Sequence, residues 1–407
     1  MNYQETETKQ RTETFNQPKF MKDLSSYRVS MKYQSVALLI SIGLIACLAI
    51  GVSTAQAQMS TRQYNVTDLG VLPAKKARVS IPAAINEQGL VTGTSGMSYV
   101  DESAFLYDPK RNKEAMEDLG RNAAGISRGF AINGVGDVVG DSTFDTSEAM
   151  SHAALFRNGK IADLGILKGG VYSRATGINA SGLVVGFSGL KPDESSMSRA
   201  FLWSASTGML DIGTLGGEYA QAFGINDSAF VTGTAQIAVS SRVPITHAFI
   251  YQPFSMGIRK NMIDLGTLGG KDSYGMAINA NNHVAGYSTL NGGLDRVHAF
   301  LHDGRKMRDL GSLDGRIAEN DQSYALGVNI IDQVVGYSYV PTREGPVRQA
   351  AFLYSQGVMM DLNGLLGPDA AKQYWLHTAT AINNNGQIVA IAEDLRTNEI
   401  HAVLLTQ

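Results

Sequence analysis

After about residue 60 the chain alternates short apolar runs with polar turns, and the same runs return in the same order. An apolar stretch closing on Ile-Asn recurs at Ile85, Ile132, Ile178, Ile225, Ile278 and Ile382, with Val328-Asn329 as its variant. Asp-Leu/Ile-Gly recurs at Asp68, Asp118, Asp163, Asp211, Asp264 and Asp309, with Asp361-Leu362-Asn363 as its variant. A small residue followed by an apolar one stands at Ala104, Ala153, Ala200, Ala248, Ala299, Ala351 and Ala402. The Ile-Asn pairs are spaced 47, 46, 47, 53, 50 and 54 residues apart, a period in the range of propeller blades.

Each unit predicts four short strands. Strand A ends at Ile-Asn, and a four-residue turn follows. Its last position is Gly89, Gly136, Gly182, Ala229, Asn282, Asp332 or Gly386, six of them residues that tolerate a left-handed backbone. Strand B is Val-Val-Gly-like, and its glycine (Gly93, Gly140, Gly186, Gly233, Gly286, Gly336, with Ala390 the exception) predicts close approach of a neighbouring sheet. Strand C is Ala-Phe-Leu-Trp/Tyr. Turns such as Asn158-Gly159 and Asp303-Gly304 lead into strand D, which ends at Asp-Leu-Gly.

A four-stranded sheet with two apolar faces must bury both, and stacking copies around an axis does so. A lone strand D, Tyr64 to Gly70, opens the repeat region, and strands A, B and C (378–383, 387–392 and 401–405) end it. The incomplete ends add up to one unit, which argues against an open solenoid. The expected fold is therefore all-β, a seven-bladed β-propeller of four-stranded blades over residues 58–407. It is closed by the N-terminal outer strand pairing with the C-terminal three strands.

Residues 1–57 read differently. An apolar run, 36–52, follows Lys19, Lys22, Arg28 and Lys32 and precedes Ala55-Gln56-Ala57, the order of a secretory signal with cleavage after Ala57. Translation from Met31 would shorten the polar leader. The alternatives are an uncleaved anchor that tethers the protein to a membrane by residues 36–52, and lipidation at Cys47, the single cysteine. The expected location is extracellular or periplasmic.

Composition narrows the function. The 407 residues carry 44 glycines against 10 prolines, and only 17% are charged, which fits many tight turns. A net charge of −3 with no basic stripe gives no footprint for nucleic acid. His-Ala-Phe at 247–249 and 298–300, Asp-Leu-Gly-Thr-Leu-Gly-Gly at 264–270 and Gly-Ile-Asn at 177–179 make the chain resemble the HAF-repeat family of extracellular repeat proteins, over roughly residues 61–407. That resemblance implies export and a repeat architecture. It brings no defined activity and no site residues.

No motif implies a cofactor or a metal. His152, His247, His298 and His401 share one repeat position, but equivalent points in neighbouring sheets lie about 10 Å apart, against about 2 Å for a zinc–imidazole bond. Bonding within the histidine's own unit is expected instead. The repeated Asp-Leu-Gly carboxylate is expected to cap the turn that leaves strand D. Asp141, Asp145, Asp193 and Glu194 lack calcium-loop spacing. Gly216-Gly217 and Gly269-Gly270 lack the flanking residues of phosphate cradles and are read as turns. Ser195-Ser196 has no nucleophile-elbow glycines.

Function is expected where the units differ. The B–C connections (94–103, 141–152, 187–199, 234–247, 287–298, 337–349 and 391–400) are long and dissimilar, and such loops on a rigid scaffold carry recognition. Four residues before the Ile stand Arg128, Arg174, Gln221, Tyr274, Tyr324 and Thr378, and two residues earlier come Tyr172, Tyr219 and Asp272. Tyrosine and arginine around a concave mouth suit a glycan or protein ligand, although they can equally fill gaps between blades. The leading expectation is an exported binding scaffold using the face shared by the B–C and D–A loops. The alternatives are a propeller enzyme acting on polysaccharide, with its acids among Asp141, Asp272, Glu218 and Asp193, and a structural surface or matrix component.

Overall fold

The computed structural model describes residues 63–407 apart from 73–76, 97–100, 111–115, 122–124, 145–149, 191–196, 239–243, 254–260, 292–295, 316–320 and 342–346. The apolar run 36–52, Cys47, Ala55, Ala57, Asp145, Asp193, Glu194, Ser195 and Ser196 therefore lie outside the described residues, as do parts of six of the seven B–C connections.

The described chain is all-β. Five four-stranded antiparallel sheets each follow the chain order A-B-C-D; in the third repeat the strands are Tyr172–Ile178, Val184–Gly189, Ser198–Ser204 and Gly208–Gly213. One eight-stranded sheet holds the first and last repeats, joined by a single parallel bridge between Val79 and Ile400. In it the strand Asn65–Asp68 pairs antiparallel with Glu399–Thr406, from Asn65 opposite Thr406 to Asp68 opposite Val403. Among the described residues helix is confined to the last D–A connection, in a 3-10 turn at Leu362–Leu365 and α1 at Pro368–Gln373, neither of which the repeat pattern predicts. These meandering sheets, stacked face on face, follow the blade plan of a β-propeller.

The Ala-Phe motif explains how the sheets stack. Adjacent residues in a strand face opposite ways, so each unit offers its alanine to one neighbour and its aromatic ring to the other. Phe201 clusters with Ala153 of the preceding repeat, Phe249 with Ala200, Phe300 with Ala248 and Phe352 with Ala299. Phe105 of the first repeat clusters with Ala402 of the last. All five rings are fully buried, and each contributes roughly 1.5–3 kcal/mol by burial. The methyl-sized partner leaves the room that the ring fills.

The turn after Ile-Asn behaves as its residue types predict. All seven last positions have positive φ, including Ala229 at 63°, Asn282 at 62° and Asp332 at 63°. The strand B glycines require a correction. What crowds them is not a neighbouring sheet but strand A of their own. A Cβ on Gly140, Gly186 or Gly286 would lie 1.7–1.9 Å from the carbonyl oxygen of Arg128, Arg174 or Tyr274. Strand A carries a bulge at this level, as between Ala175 and Gly177, and the bulge pushes the carbonyl inward. Contact with the preceding sheet is made instead by strand A glycines, with Gly129 facing Thr92 and Gly275 facing Thr232. In the last repeat strand A has a second bulge, between Leu376 and Thr378, and Ala390 occupies the glycine position.

Two further corrections concern the connections. Gly216-Gly217 and Gly269-Gly270 are not turns but the first residues of the ten-residue strands Gly216–Ile225 and Gly269–Ile278. The stretch 391–400 is not a long loop, because strands Ile388–Asp394 and Glu399–Thr406 pair as far as Asp394 opposite Glu399.

Two sets of polar side chains link consecutive repeats. The Asn of Ile-Asn accepts turn N–H bonds through Oδ1, as Asn179 does from Leu183, while its Nδ2 donates to the carbonyl of the Asn in the next repeat. The links run from Asn86 to Asn133, Asn179, Asn226, Asn279, Asn329 and Asn383. Asn383, in turn, donates to the Asn86 carbonyl at 3.0 Å. The second set is a serine early in strand A. Ser127, Ser173, Ser273 and Ser323 each donate to the carbonyl of the preceding Asp-Leu/Ile-Gly glycine and accept from the strand C alanine N–H. Ser80 does the same with Gly70 and Ala402. Where Asn363 replaces that glycine, its amide bonds both the N–H and the carbonyl of Leu376, so the variant supplies its own link.

Candidate functional site

Strands A and B of neighbouring repeats bring most of the sequence-predicted residues into one band. Arg128 sits opposite Asp141, Arg174 opposite Phe187, Gln221 opposite Thr234, Tyr274 opposite Tyr287, and Tyr324 opposite Tyr337. Cross-strand neighbours on one face lie about 5 Å apart, so each pair forms one patch.

The band has two sectors of different chemistry. In the first three repeats it is ionic. Arg128 Nε donates to Glu102 Oε2 at 2.5 Å, and its other nitrogen lies 3.6 Å from Asp141 Oδ2. Arg174 Nε donates to that same Asp141 oxygen at 2.9 Å, and its guanidinium lies 4.9 Å from the Phe130 ring centroid. Asp141 is buried, and its Oδ1 has no hydrogen-bond partner. Two guanidiniums facing two carboxylates leave this sector with no net charge.

From the third repeat to the sixth the band is aromatic. Tyr274 stacks on Tyr287 with centroids 4.8 Å apart, and Tyr324 stacks on Tyr337 at 4.7 Å. The two pairs meet edge to face through Tyr287 and Tyr324 at 4.9 Å, and Tyr339 extends the column at 6.1 Å. Burial pushes the Tyr287 phenol well above the usual tyrosine range, helped by the neighbouring Tyr274, Tyr324 and Tyr219 phenols. Tyr219 is raised by burial and by Tyr274 and Tyr172, and burial likewise raises Tyr172 and Tyr274. These hydroxyls therefore stay protonated through the physiological range.

Three predicted residues do other work. Asp272 accepts from both the N–H and the hydroxyl of Thr246, at 3.0 Å each, which pins the start of strand C. Gln221 donates to Ser198 Oγ at 3.1 Å. Thr378 accepts from Gln349 at 2.6 Å. Tyr287, Tyr337 and Asp141 as a partner of the arginines were missed as members of the band. The available signal was the residue after the strand B glycine, which must share a face with the residue four before Ile. In the last repeat the Arg348 guanidinium lies 4.0 Å above the Trp375 ring, with Glu393 2.7 Å from that guanidinium.

The repeated histidines bond within their own units. His152 meets Asp163, His247 meets Asp264, and His298 meets Asp309, each through Nδ1. The same aspartates cap their turns by accepting the N–H two residues on, as Asp163 does from Gly165 at 2.7 Å. His298 also places Nε2 3.0 Å from Asp321 Oδ1. Its imidazole is held between two carboxylates on opposite sides, a geometry that offers no shared metal centre. Among the described residues no cluster of three His, Cys, Asp or Glu side chains is arranged to hold a metal ion, and no helix is long and apolar enough to cross a membrane.

Residues 217–401 match the model of a family described as a protein of unknown function, DUF3466. No curated protein matches the chain. Among solved structures, the chain is similar to the β-propeller domain of the Trilobed protease from Pyrococcus furiosus, at 8% identity and a TM-score of 0.48, covering 81% of this chain and 94% of that one. It is also similar to a prolyl endopeptidase, at 10% identity and a TM-score of 0.46 over 87% of this chain, and to Trypanosoma rangeli sialidase, at 10% and 0.37 over 81%. The chain spans about half the length of these last two, 52% and 55%.

Proposed function

We propose that the protein is an exported, seven-bladed propeller of the HAF-repeat type, closed by its N-terminal strand, that binds a glycan or protein ligand. Three contacts between the first and last repeats support the closed seven-blade reading. They are the Asn383–Asn86 hydrogen bond, the Ser80–Ala402 stitch and the packing of Phe105 with Ala402. Each repeats a link found between consecutive repeats elsewhere. The antiparallel pairing of Asn65–Asp68 with the last strand gives the seventh blade its fourth strand. Export rests on the signal-like order of residues 19–57.

The observation that carries the binding reading is the coming together of Tyr172, Tyr219, Tyr274 and Tyr324 with Tyr287 in one band. Aromatic side chains on stiff strands, at the end of the sheets where the B–C and D–A connections open, form a preorganised recognition surface. Two of the four acids considered for an enzyme serve other ends here, Asp141 between two arginines and Asp272 on Thr246. The test is to probe glycan and secreted-protein arrays with the full-length protein. Saturable binding lost on removal of Tyr274 and Tyr324 supports the reading. Silence on both arrays overturns it, and turnover of a polysaccharide would then favour the enzyme reading.

A further inference from the structure

We propose that the ligand is an uncharged carbohydrate, held chiefly by the tyrosine sector through its phenol hydroxyls and ring edges. This deepens the binding reading above and rests on it. The first argument is charge. Arg128 and Arg174 are matched by Glu102 and Asp141, and Arg348 by Glu393. An acidic polymer entering the band would have to compete for guanidiniums already committed to buried or half-buried carboxylates, at a desolvation cost with no surplus positive charge to offset it. A cationic ligand meets the mirror-image problem.

The second argument is the state of the rings. Tyr274 and Tyr287 stack on each other, as do Tyr324 and Tyr337, and the two pairs meet edge to face. Ring faces used in stacking are not open for a second aromatic or for a cation. Tyr274, Tyr287 and Tyr324 nevertheless stay partly exposed, which leaves part of each side chain for a ligand. The phenols are neutral, and a phenol can both donate and accept a hydrogen bond. Tyr324 already donates to Gln322 Oε1 at 3.1 Å and the Tyr274 hydroxyl lies 3.5 Å from the Thr246 hydroxyl, so a ligand takes up the capacity these contacts leave. A row of neutral donor–acceptors beside C–H-rich ring edges complements a sugar, whose hydroxyls also donate and accept and whose ring carries apolar C–H groups. Side chains locked by mutual stacking lose little further freedom when a ligand binds.

The test titrates the full-length protein by calorimetry with cello-, laminari-, malto-, chito- and xylohexaose, and with hexagalacturonate as the acidic comparison. The variants Tyr274→Phe and Tyr324→Phe keep the stacked rings and delete only the hydroxyls, so folding is preserved and checked by thermal melting. The expected result is saturable binding of at least one neutral hexasaccharide, weakened roughly 2- to 12-fold by each substitution, the range for loss of one net hydrogen bond. Neutral-sugar binding that is unchanged in both variants overturns the proposal, as does binding confined to hexagalacturonate. A protein ligand with no neutral sugar bound overturns it while leaving the binding scaffold standing. Silence on every array and titration overturns both.

Discussion

Asp68, in the first strand described, accepts a 2.8 Å hydrogen bond from Nδ1 of His401, 333 residues further along the chain. The same carboxylate accepts from the Tyr374 hydroxyl at 3.2 Å and caps Gly70. It thus binds the strand Asn65–Asp68 to the last sheet by side chain as well as by backbone. The hydrogen bond to Asp68 holds the His401 imidazole above its ordinary range. Burial tends to raise Asp68, but the bonds from His401, Gly70 and Tyr374 hold it below the usual carboxylate value.

The sign of the pH effect follows. A raised histidine contributes stability that is full below its unfolded pKa and is lost as pH rises through the folded one. A lowered aspartate contributes stability present above its unfolded pKa and lost as pH falls through the folded one. The clasp is therefore strongest in weak acid. His401→Gln should cost about 1 kcal/mol at pH 5, a value discounted for the partial exposure of the pair, and much less at pH 9. Thermal melts of both proteins at the two pH values check this, since the other His–Asp pairs cancel in the difference. A wild-type-to-variant gap that does not change with pH would sink it.

The turn position at Ala229 offers a second prediction. Its six counterparts are Gly, Asn or Asp, yet Ala229 holds φ at 63°. A Cβ in the left-handed region costs roughly 1–2 kcal/mol, while glycine loses up to about 1 kcal/mol of extra chain entropy on folding. Ala229→Gly should therefore stabilise the protein by about 0.5–1 kcal/mol. Denaturant unfolding measures this as a higher midpoint at constant slope. Gly182→Ala, at φ 79°, should shift the midpoint the opposite way.

Much of this fold was legible because repetition turns weak local signals into a strong one. Ile-Asn, Asp-Leu-Gly and Ala-Phe are each common by chance, but their ordered recurrence exposed strand boundaries, turn chemistry and the bonding of each repeated histidine within its own unit, though not its aspartate partner. Links made by one side chain across a repeat boundary stayed hidden. Nothing in the sequence says that Asn179 Nδ2 reaches the carbonyl of Asn226, or that Asn363 takes the place of a serine stitch. The band was half legible for a similar reason. Strand A gave Tyr274 and Tyr324 by their offset from Ile. Tyr287 and Tyr337 needed the A–B register, and the strand A bulge between Gly275 and Ala277 shifts that register by one residue.

That bulge yields a third prediction. A Cβ on Gly186 would fall 1.9 Å from the Arg174 carbonyl oxygen and 2.9 Å from the Phe201 ring. Backbone on one side and a buried ring on the other leave it nowhere to go. Gly186→Ala should cost about 3 kcal/mol or more, at or beyond the upper end of ordinary overpacking, and soluble yield together with thermal melting would register it. Ala390→Gly, in the doubly bulged last repeat, should cost no more than about 1 kcal/mol. Equal tolerance at both positions would contradict the bulge as the reason for the glycine.

The serine stitches allow the contact between sheets to be tested apart from the hydrophobic packing. Ser173 Oγ accepts from Ala153 N–H at 2.7 Å and donates to the Gly165 carbonyl at 2.5 Å, so one hydroxyl serves two backbone groups of the preceding repeat. Ser173→Ala removes little volume but leaves the buried Ala153 N–H without that acceptor, a loss of about 1–3 kcal/mol. Amide exchange should report where the loss falls. Protection at Ala153 should drop more than protection within the third sheet's own ladder, because the stitch joins sheets and does not form part of one. Ser80→Ala is the sharper case, since its partners are Gly70 and Ala402. If the first and last repeats are neighbours in a closed ring, this substitution should raise exchange at both Ala402 and Leu69, whose N–H donates to the Ala402 carbonyl. Unchanged exchange at Leu69 would mean that the N-terminal strand holds its place independently of the stitch, and the two contacts would have to be treated as separate fastenings.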